Sequence, residues 1–492
     1  MFDIDLPDLG VVRGLDDAGL VDAMADGVRL QSAWLARVFA AGAELYHRRL
    51  RQQPVARREI WAIDGWEEVA AEISAAQGIS RGRAAGQLRI GLALRERLPR
   101  FEALFAAGVV DFQIVAAVVH RSELMLDLDA IPRLDRWLER NAPRWGKWSR
   151  ARIVEAVDYW IQVLEPVAVR EARATEATRH IGISPMHSGL AEIFGDVRTP
   201  DALAFDQRLS ELAGTVCDAD PRTKEQRRAD ALAALTAGAA TMACECGSPQ
   251  CPAQGADAPV GAVMIHVLAE QATLTGAGDK PGYVPGFGGL AADTVRQVAK
   301  SARLRTVRHP GDTPPESSYR PSTALADFIR CRDLTCRFPG CGRPAEYADI
   351  DHTVPWPAGP THASNLKLLC RRHHLLKTFW TGPNGWRDRQ EPDGTIIWTA
   401  PTGQTYTTTP AGTLYFPHLA APTTTLDLPP WIPVGDRGAR MPTRRQTRAQ
   451  DRAYRIQLER HHNQTRLDIH AAEAQLAHAA KHRAALDDPP PF

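Results

Sequence analysis

The stretch DIDHTVPWPAGPTHASNLKLLCRRHHLLK, from Asp349 to Lys377, decides how this chain is read. It gathers an Asp-His pair, an Asn, a Cys and two adjacent histidines in one short segment. Just upstream, CRFPGC places Cys336 and Cys341 with four residues between them, and CRRH places Cys370 and His373 with two between. Two close pairs separated by a loop supply four ligands for tetrahedral zinc. A closed ligand set leaves no open position for chemistry, so the expected role is structural. It would knit together a segment with little core of its own, since zinc binding in finger peptides is worth about 10–16 kcal/mol. Cys331 lies outside this spacing and reads as an ordinary buried thiol.

With the zinc set removed, Asp351, His352, Asn365 and His374 remain. YADIDHTV reads as a strand, NLKLLC closes a loop or short strand, and RRHHLLK begins a helix. These pieces converge on one small cleft. Asp351 and His374 offer oxygen and nitrogen ligands suited to a divalent cation. His352 beside them can take a proton from water. A metal next to a general base is what phosphodiester hydrolysis requires: the base makes the nucleophile, and the metal neutralises charge on the phosphoryl group and the departing oxygen.

The arrangement resembles the HNH endonuclease family, in which a ββα-metal core is framed by zinc-binding cysteines. The resemblance rests on Asp351-His352, Asn365 and His374, framed by Cys336, Cys341, Cys370 and His373. It implies that His352 is the general base and that Asp351 and His374 bind the catalytic metal. It implies that Asn365 orients the loop and the base or joins the metal shell. Lys377 and Arg371 are then the nucleic-acid contacts. One departure is His373, which stands where many relatives have cysteine; zinc accepts either. His362 has no role in the family pattern and is expected to be exposed. A looser resemblance, in ISRGRAAGQLRIGLALRERLP, RRADALAAL, CRFPGC and LLCRRHHLLK, is to actinobacterial repeat-associated proteins with an N-terminal helical domain of unknown function and a C-terminal HNH domain. It implies a nuclease and leaves the upstream role open.

Working outward, residues 16–53 read as a long amphipathic helix, Ser80 as an N-cap and Pro99 as a helix start. The rhythm there is shared by DNA-reading helix–turn–helix units and by plain helix packing, and periodicity alone favours packing. Trp137, Trp145, Trp148 and Trp160 read as core or interface anchors. HIGISPM, GLAEIFGDV and VMIHVLAEQATL look like strands, TPDALAFDQRLSELAG like a helix capped by Thr199, and RRADALAALTAG like another helix. GWRDRQEPDGTIIWTAPTGQTY reads as strands joined by PDG and PTG turns. The expected fold is α+β: a mostly helical region with a small α+β subdomain over 1–320, a zinc-stabilised ββα-metal domain over 321–415, and a basic helical segment over 436–486. From Arg437 to Arg466 that segment has nine arginines against Asp451 and Glu459. Such a helix can lie along phosphates or be a solvated tail.

The chain balances 59 Lys+Arg against 58 Asp+Glu, so any nucleic-acid surface must be local. MFDIDLPDLG lacks a signal-peptide pattern, and no apolar run reaches the length of a membrane span. The eight cysteines are clustered, which suggests metal binding in a reducing cytosol, and a cytoplasmic location is expected. In CECGSPQC, Cys244, Cys246 and Cys251 offer a second zinc set, with Cys217 or His266 as the fourth ligand or with no metal at all. The expectation is a metal-dependent DNA endonuclease using Mg²⁺ or Mn²⁺ with structural Zn²⁺; a histidine ligand also admits Ni²⁺ or Zn²⁺ in the catalytic position. The alternative is a non-catalytic, zinc-stabilised DNA-binding protein. A double-strand cut by a one-site enzyme would call for a homodimer or two successive nicks.

Overall fold

The computed structural model describes residues 7–52, 58–145, 148–169, 179–186, 190–197, 199–251, 253, 266–285, 288–300, 302–380, 385–429 and 441–487. By its contacts the chain forms two compact units. The first joins residues 1–171 to 307–492, and the second is 172–306. The helical N-terminal region and the Asp349–Lys377 stretch therefore share one unit, which differs from the division at 320 read from sequence.

The first unit opens with α1 (Leu9–Arg13), α2 (Asp17–Gln52), α3 (Gly65–Gln77), α4 (Arg81–Arg97), α5 (Pro99–Ala106), α6 (Phe112–Arg121), α7 (Ala130–Asn141) and α8 (Arg150–Leu164). Capping follows the sequence closely. The side chains of Asp64, Ser80, Asp111 and Ser149 each accept from the backbone N–H three residues on, and Pro99 occupies the first position of α5. The apolar stripes of these helices meet in one core around Phe39, Leu94, Phe101, Phe105, Val118, Leu134, Leu138 and Ile161. Leu88 and Leu92 of α4 are buried against α2 and α3, so this face packs helices and is not free to read DNA. Trp137 packs at a tilt against Trp145 and Trp160 at the core, as expected of anchors. Trp148 instead lies exposed under the guanidinium of Arg152.

The second unit holds an antiparallel hairpin, β1 (His180–Pro185) with β2 (Ala191–Asp196), then α9 (Thr199–Ala213), α10 (Lys224–Thr236), α11 (Gln271–Thr275), a second hairpin of β3 (Gly282–Val284) with β4 (Gly288–Leu290), and α12 (Ala292–Ala299). The strand expected from Val263 is corrected here. Residues 263–265 lie outside the described residues, Leu268 makes a single bridge to Tyr283, and the rest turns into α11, which Gly276 ends in the left-handed region.

The chain then returns to the first unit through α13 (Thr323–Asp333), β5 (Ala348–His352), β6 (Leu366–Cys370) and α14 (Arg371–Phe379). β7 (Arg387–Gln390), β8 (Ile396–Thr399) and β9 (Thr405–Thr408) form a three-stranded antiparallel meander, turning at Gly394 and Gly403 with positive φ, where the PDG and PTG signals stand. A second core joins this region to α3: Phe338, Leu369, Leu376, Trp380, Trp386 and Trp398 pack with Ile63 and Ala71.

α15 (Arg448–Asp487) carries most of the basic segment; residues 437–440 of that segment lie outside the described residues. Three of its arginines are paired with acids of the N-terminal helices. Arg448 pairs with Asp64 and Glu67, Arg452 with Glu123 and Arg460 with Glu165, while Arg444 just before it pairs with Asp64. The helix is thus docked on acids of the N-terminal bundle, a pairing across hundreds of residues that charge counting cannot reveal.

Glu67 is the hub of this docking. Its carboxylate accepts from Arg81 Nε at 2.9 Å, from Arg448 Nη2 at 2.8 Å and from Arg372 of α14. Burial alone would push this carboxyl up, but the guanidiniums of Arg81 and Arg372 hold it down at about 2. Glu67→Ala is expected to cost on the order of 2–3 kcal/mol in denaturant unfolding at pH 7, below the 3–5 of a fully buried broken pair because its partners stay partly hydrated. A lowered carboxylate stabilises the fold above its unfolded value of 4.5 and loses that contribution as pH falls toward 2. The gap between wild type and variant should therefore narrow at pH 3.5; a gap that widens would overturn this account.

Candidate metal-binding and catalytic site

Strand alternation in β5 sends Asp349 and Asp351 to one face and His352 to the other. β5 pairs with β6 so that Asp351 stands opposite Lys367 and His352 opposite Leu366. Helix α14 follows directly on Cys370, which brings His374 back over the Asp349–Asp351 face. His374 Nδ1 lies 2.8 Å from Asp349 Oδ2, and its Nε2 lies 3.4 Å from Asp351 Oδ1. A carboxylate on one ring nitrogen fixes the tautomer and leaves the other lone pair for an ion. Two ligand atoms about 3 Å apart suit a single cation with bonds of roughly 2.1 Å. Asp351 and His374 are thus brought together as the sequence implied. Asp349 is a residue the sequence reading missed, although the Asp-Ile-Asp alternation carried the signal.

Lys377 sits otherwise than expected. It is buried, and its Nζ donates to Asp351 Oδ2 at 2.6 Å and to the carbonyl of Thr353 at 3.2 Å. Lys367 Nζ donates to the same Asp351 oxygen at 2.8 Å and pairs with Asp388 Oδ2 at 2.6 Å. Two lysines and two aspartates form a buried, mutually neutral cluster. Burial alone would push the Asp351 carboxyl up, but Lys367, Lys377 and His374 hold it well below the usual range. Lys377 therefore spends its charge inside the protein, not on phosphate. Arg371, at the start of α14, is 67% exposed and lies 3.6 Å from Asp349, so it remains accessible to an anion.

His352 is buried, with its ring stacked on Tyr319 at 5.3 Å. Its Nε2 lies 2.9 Å from Thr361 Oγ1, which lies 2.6 Å from the carbonyl of Ser318. The carbonyl can only accept, so the Thr361 hydroxyl donates to it and accepts from His352 Nε2–H. The proton is thereby fixed on Nε2 and Nδ1 carries the lone pair. Burial pushes the His352 imidazole down to about 4 against the opposing pull of Asp351, so the ring is neutral near pH 7.

Asn365 is fully buried. Its Oδ1 accepts from Val354 N at 2.8 Å, and its Nδ2 donates to the carbonyls of Val354 at 3.0 Å and Pro360 at 2.9 Å. These bonds tie the 353–365 loop together. Asn365→Ala would leave three backbone groups without partners, each costing about 1–3 kcal/mol when buried. Thermal unfolding should show a loss of several degrees, and unchanged melting would contradict this role. His362, expected to be exposed, is buried: its Nδ1 accepts from Ser364 N, and its Nε2 lies 3.1 Å from the carbonyl of Thr313. The preceding sequence gives no apolar pattern that announces this, because the ring caps a short turn.

The frame around the site is a Cys/His cluster. Ligand atoms of Cys336, Cys341, Cys370 and His373 all lie within 4.8 Å of one another. His373 Nδ1 is 3.4 Å from both Cys336 Sγ and Cys370 Sγ, close to the roughly 3.6 Å that tetrahedral zinc sets between nitrogen and sulfur. A buried network sets up the knuckle. Asp333 accepts from Arg332 Nε, Arg337 Nη1 and Leu368 N, and Arg332 reaches the carbonyls of Ala363 and Leu366. Cys331 stays outside the cluster, and burial pushes its thiol up to about 12. The second set also assembles: Cys217, Cys244, Cys246 and Cys251 lie within 4.8 Å of one another, with Cys217 and not His266 as the fourth member.

Fold and clusters together define a mostly helical α+β protein with two Cys/His sites able to hold a metal such as zinc. Residues 27–333 match the family described as "Domain of unknown function (DUF222)", and the chain belongs to that family. It is 44% identical to "Uncharacterized protein Rv3776" of Mycobacterium tuberculosis (strain ATCC 25618 / H37Rv), over 94% of this chain and 93% of that one. It is 43% identical to "Uncharacterized protein Rv2100" of the same strain, over 94% and 90%. No solved structure matches it. Among the described residues, no helix is long and apolar enough to cross a membrane.

Proposed function

We propose that the chain is a metal-dependent endonuclease of the HNH type, hydrolysing phosphodiester bonds in DNA. The observation that carries this reading is the placement of His374 Nε2 against Asp351 Oδ1, with Asp349 orienting the ring from behind. Asp351 and His374 hold a divalent cation, Mg²⁺ or Mn²⁺. When bound, it supplies charge neutralisation at the phosphoryl group and the departing oxygen. His352 Nδ1 accepts the proton of the attacking water, while Thr361 fixes the tautomer from the other side. Arg371 meets a flanking phosphate. Zinc held by Cys336, Cys341, Cys370 and His373 keeps the β6–α14 junction rigid.

Two observations favour a second reading, a non-catalytic zinc-stabilised DNA-binding protein. Asp351 Oδ2 is already engaged by two ammonium groups, and Tyr319 covers His352. Incubating supercoiled plasmid with the purified chain in Mg²⁺, Mn²⁺ or EDTA, alongside His374→Ala, separates the two. Nicking or linearisation that requires metal and disappears in the variant is the expected result. Retention of DNA without cleavage under every metal sinks the nuclease and leaves the binding module.

A further inference from the structure

Among its described residues the second unit has little to hold it together by packing. Its α9–α10 core is built around Leu212, Ala231, Ala234, Ala239 and Met242, mostly small side chains. Apolar residues of its first hairpin remain in solvent, with Ile181 67% and Ile183 58% exposed. A thin core of this kind is where small folds use a metal or a disulfide as a staple.

Four cysteines from two separate segments converge beside this core. Cys217 follows α9, and Cys244, Cys246 and Cys251 follow α10. Cys217 Sγ and Cys244 Sγ are 3.5 Å apart, and all four sulfurs lie within 4.8 Å of one another. A disulfide needs sulfurs about 2.05 Å apart, and all four are free thiols. A tetrathiolate zinc site with Zn–S bonds near 2.3 Å sets its sulfurs about 3.8 Å apart.

The backbone around the thiols is tied into place. Arg222 Nη2 donates to the carbonyl of Ala243, and Asp220 Oδ2 accepts from Glu245 N, so the residues on both sides of Cys244 are pinned to the segment just after Cys217. Asp220 and Arg222 are themselves paired at 2.8 Å. Gly247, with φ of 70°, turns the chain after Cys246, and Cys251 N donates to the carbonyl of Ser248 at 3.1 Å. Cys244 N donates to the carbonyl of Ala253, closing the loop. A plain loop with free thiols has no need of four sulfurs aimed at one point.

We propose that Cys217, Cys244, Cys246 and Cys251 bind a second, structural zinc ion, independent of the Cys336–His373 cluster. Four thiolates select a soft or borderline ion, and the closed set leaves no position for a substrate. The ion joins the end of α9 to the loop after α10 and stabilises the second unit.

Metal analysis of the full chain, reconstituted with Zn²⁺ and freed of excess, should give two zinc ions per chain. Cys217→Ser and Cys246→Ser should each lower this to one. A Co²⁺-substituted wild-type chain minus Co²⁺-substituted Cys246→Ser should leave the visible bands and thiolate charge-transfer absorption of an all-sulfur tetrahedral site. Should either variant fail to fold, the wild type alone decides by alkylation followed by peptide mass spectrometry. The four cysteines should resist alkylation until zinc is chelated. One zinc per chain that both substitutions leave in place, iron in place of zinc, or alkylation of these cysteines at equal rates with and without chelator would each overturn the assignment.

Discussion

Replacing Cys370 by Ser will unfold the region that carries the candidate catalytic site. Cys370 ends β6 and precedes the first turn of α14, so its sulfur sits at the joint between the strand and the helix that brings His374 to Asp351. Around that joint the Cys/His cluster sits against an aromatic core: Phe338 stacks on His373 at 4.0 Å and packs edge-on to Trp386 and Trp398. Structural zinc contributes about 10–16 kcal/mol in finger peptides, which is as large as the whole stability of a typical domain at about 5–15 kcal/mol. Loss of one thiolate therefore costs more than the remaining packing can offset. Trp380, Trp386 and Trp398 are all buried in this core and report on it directly. The expected result is a red shift of tryptophan emission and loss of one zinc equivalent in Cys370→Ser, with the same shift in wild type on chelation. Native emission in a variant shown to lack that zinc would refute the staple role.

Why this region could be read from sequence, and others could not, follows from the range of the interactions. The Asp349–Lys377 stretch encodes its own geometry. Strand alternation, a tight helix start at Arg371 and ligand pairs with two and four residues between them are all local constraints, so the β5–β6–α14 order and the first metal cluster were legible. The caps at Ser80 and Pro99 were legible for the same reason. Lys377 shows where such reading stops. Its position after the last histidine suggested an exposed cation, but its burial depends on Asp388, which arrives on β7. Likewise the nine arginines from Arg437 to Arg466 read either as a phosphate-binding run or as a solvated tail. Four of them, Arg444, Arg448, Arg452 and Arg460, have their partners Asp64, Glu67, Glu123 and Glu165 far away in the chain, and only folding brings these charges together. His362 belongs to the same class: a ring that caps a turn and reaches Thr313 is indistinguishable, in sequence, from one in solvent.

His352→Ala should abolish cleavage while leaving the fold and its zinc intact. A positioned general base is worth about 10²–10⁴-fold in rate, so the variant should lose at least two orders of magnitude of metal-dependent plasmid cleavage. The structural cost is small for a buried residue. Thr361 keeps its donated bond to the Ser318 carbonyl when the imidazole is removed, so no buried proton loses its acceptor. What is lost is one neutral hydrogen bond and the stacking on Tyr319, a loss on the order of 1–2 kcal/mol. Melting temperature, zinc content and DNA retention at fixed salt should accordingly stay close to wild type while the cleavage rate collapses. Thr361→Val gives a graded control: it keeps His352 but removes the acceptor that holds the proton on Nε2, so the ring can present either nitrogen and the rate should fall by less than in His352→Ala. Equal cleavage by wild type and His352→Ala would remove His352 from the chemistry. A collapse in His352→Ala with no change in Thr361→Val would keep the base but discard the tautomer argument. Loss of both activity and zinc would mean the residue is needed for the fold, and the assignment of the base would then have to pass to another group near the Asp351–His374 pair.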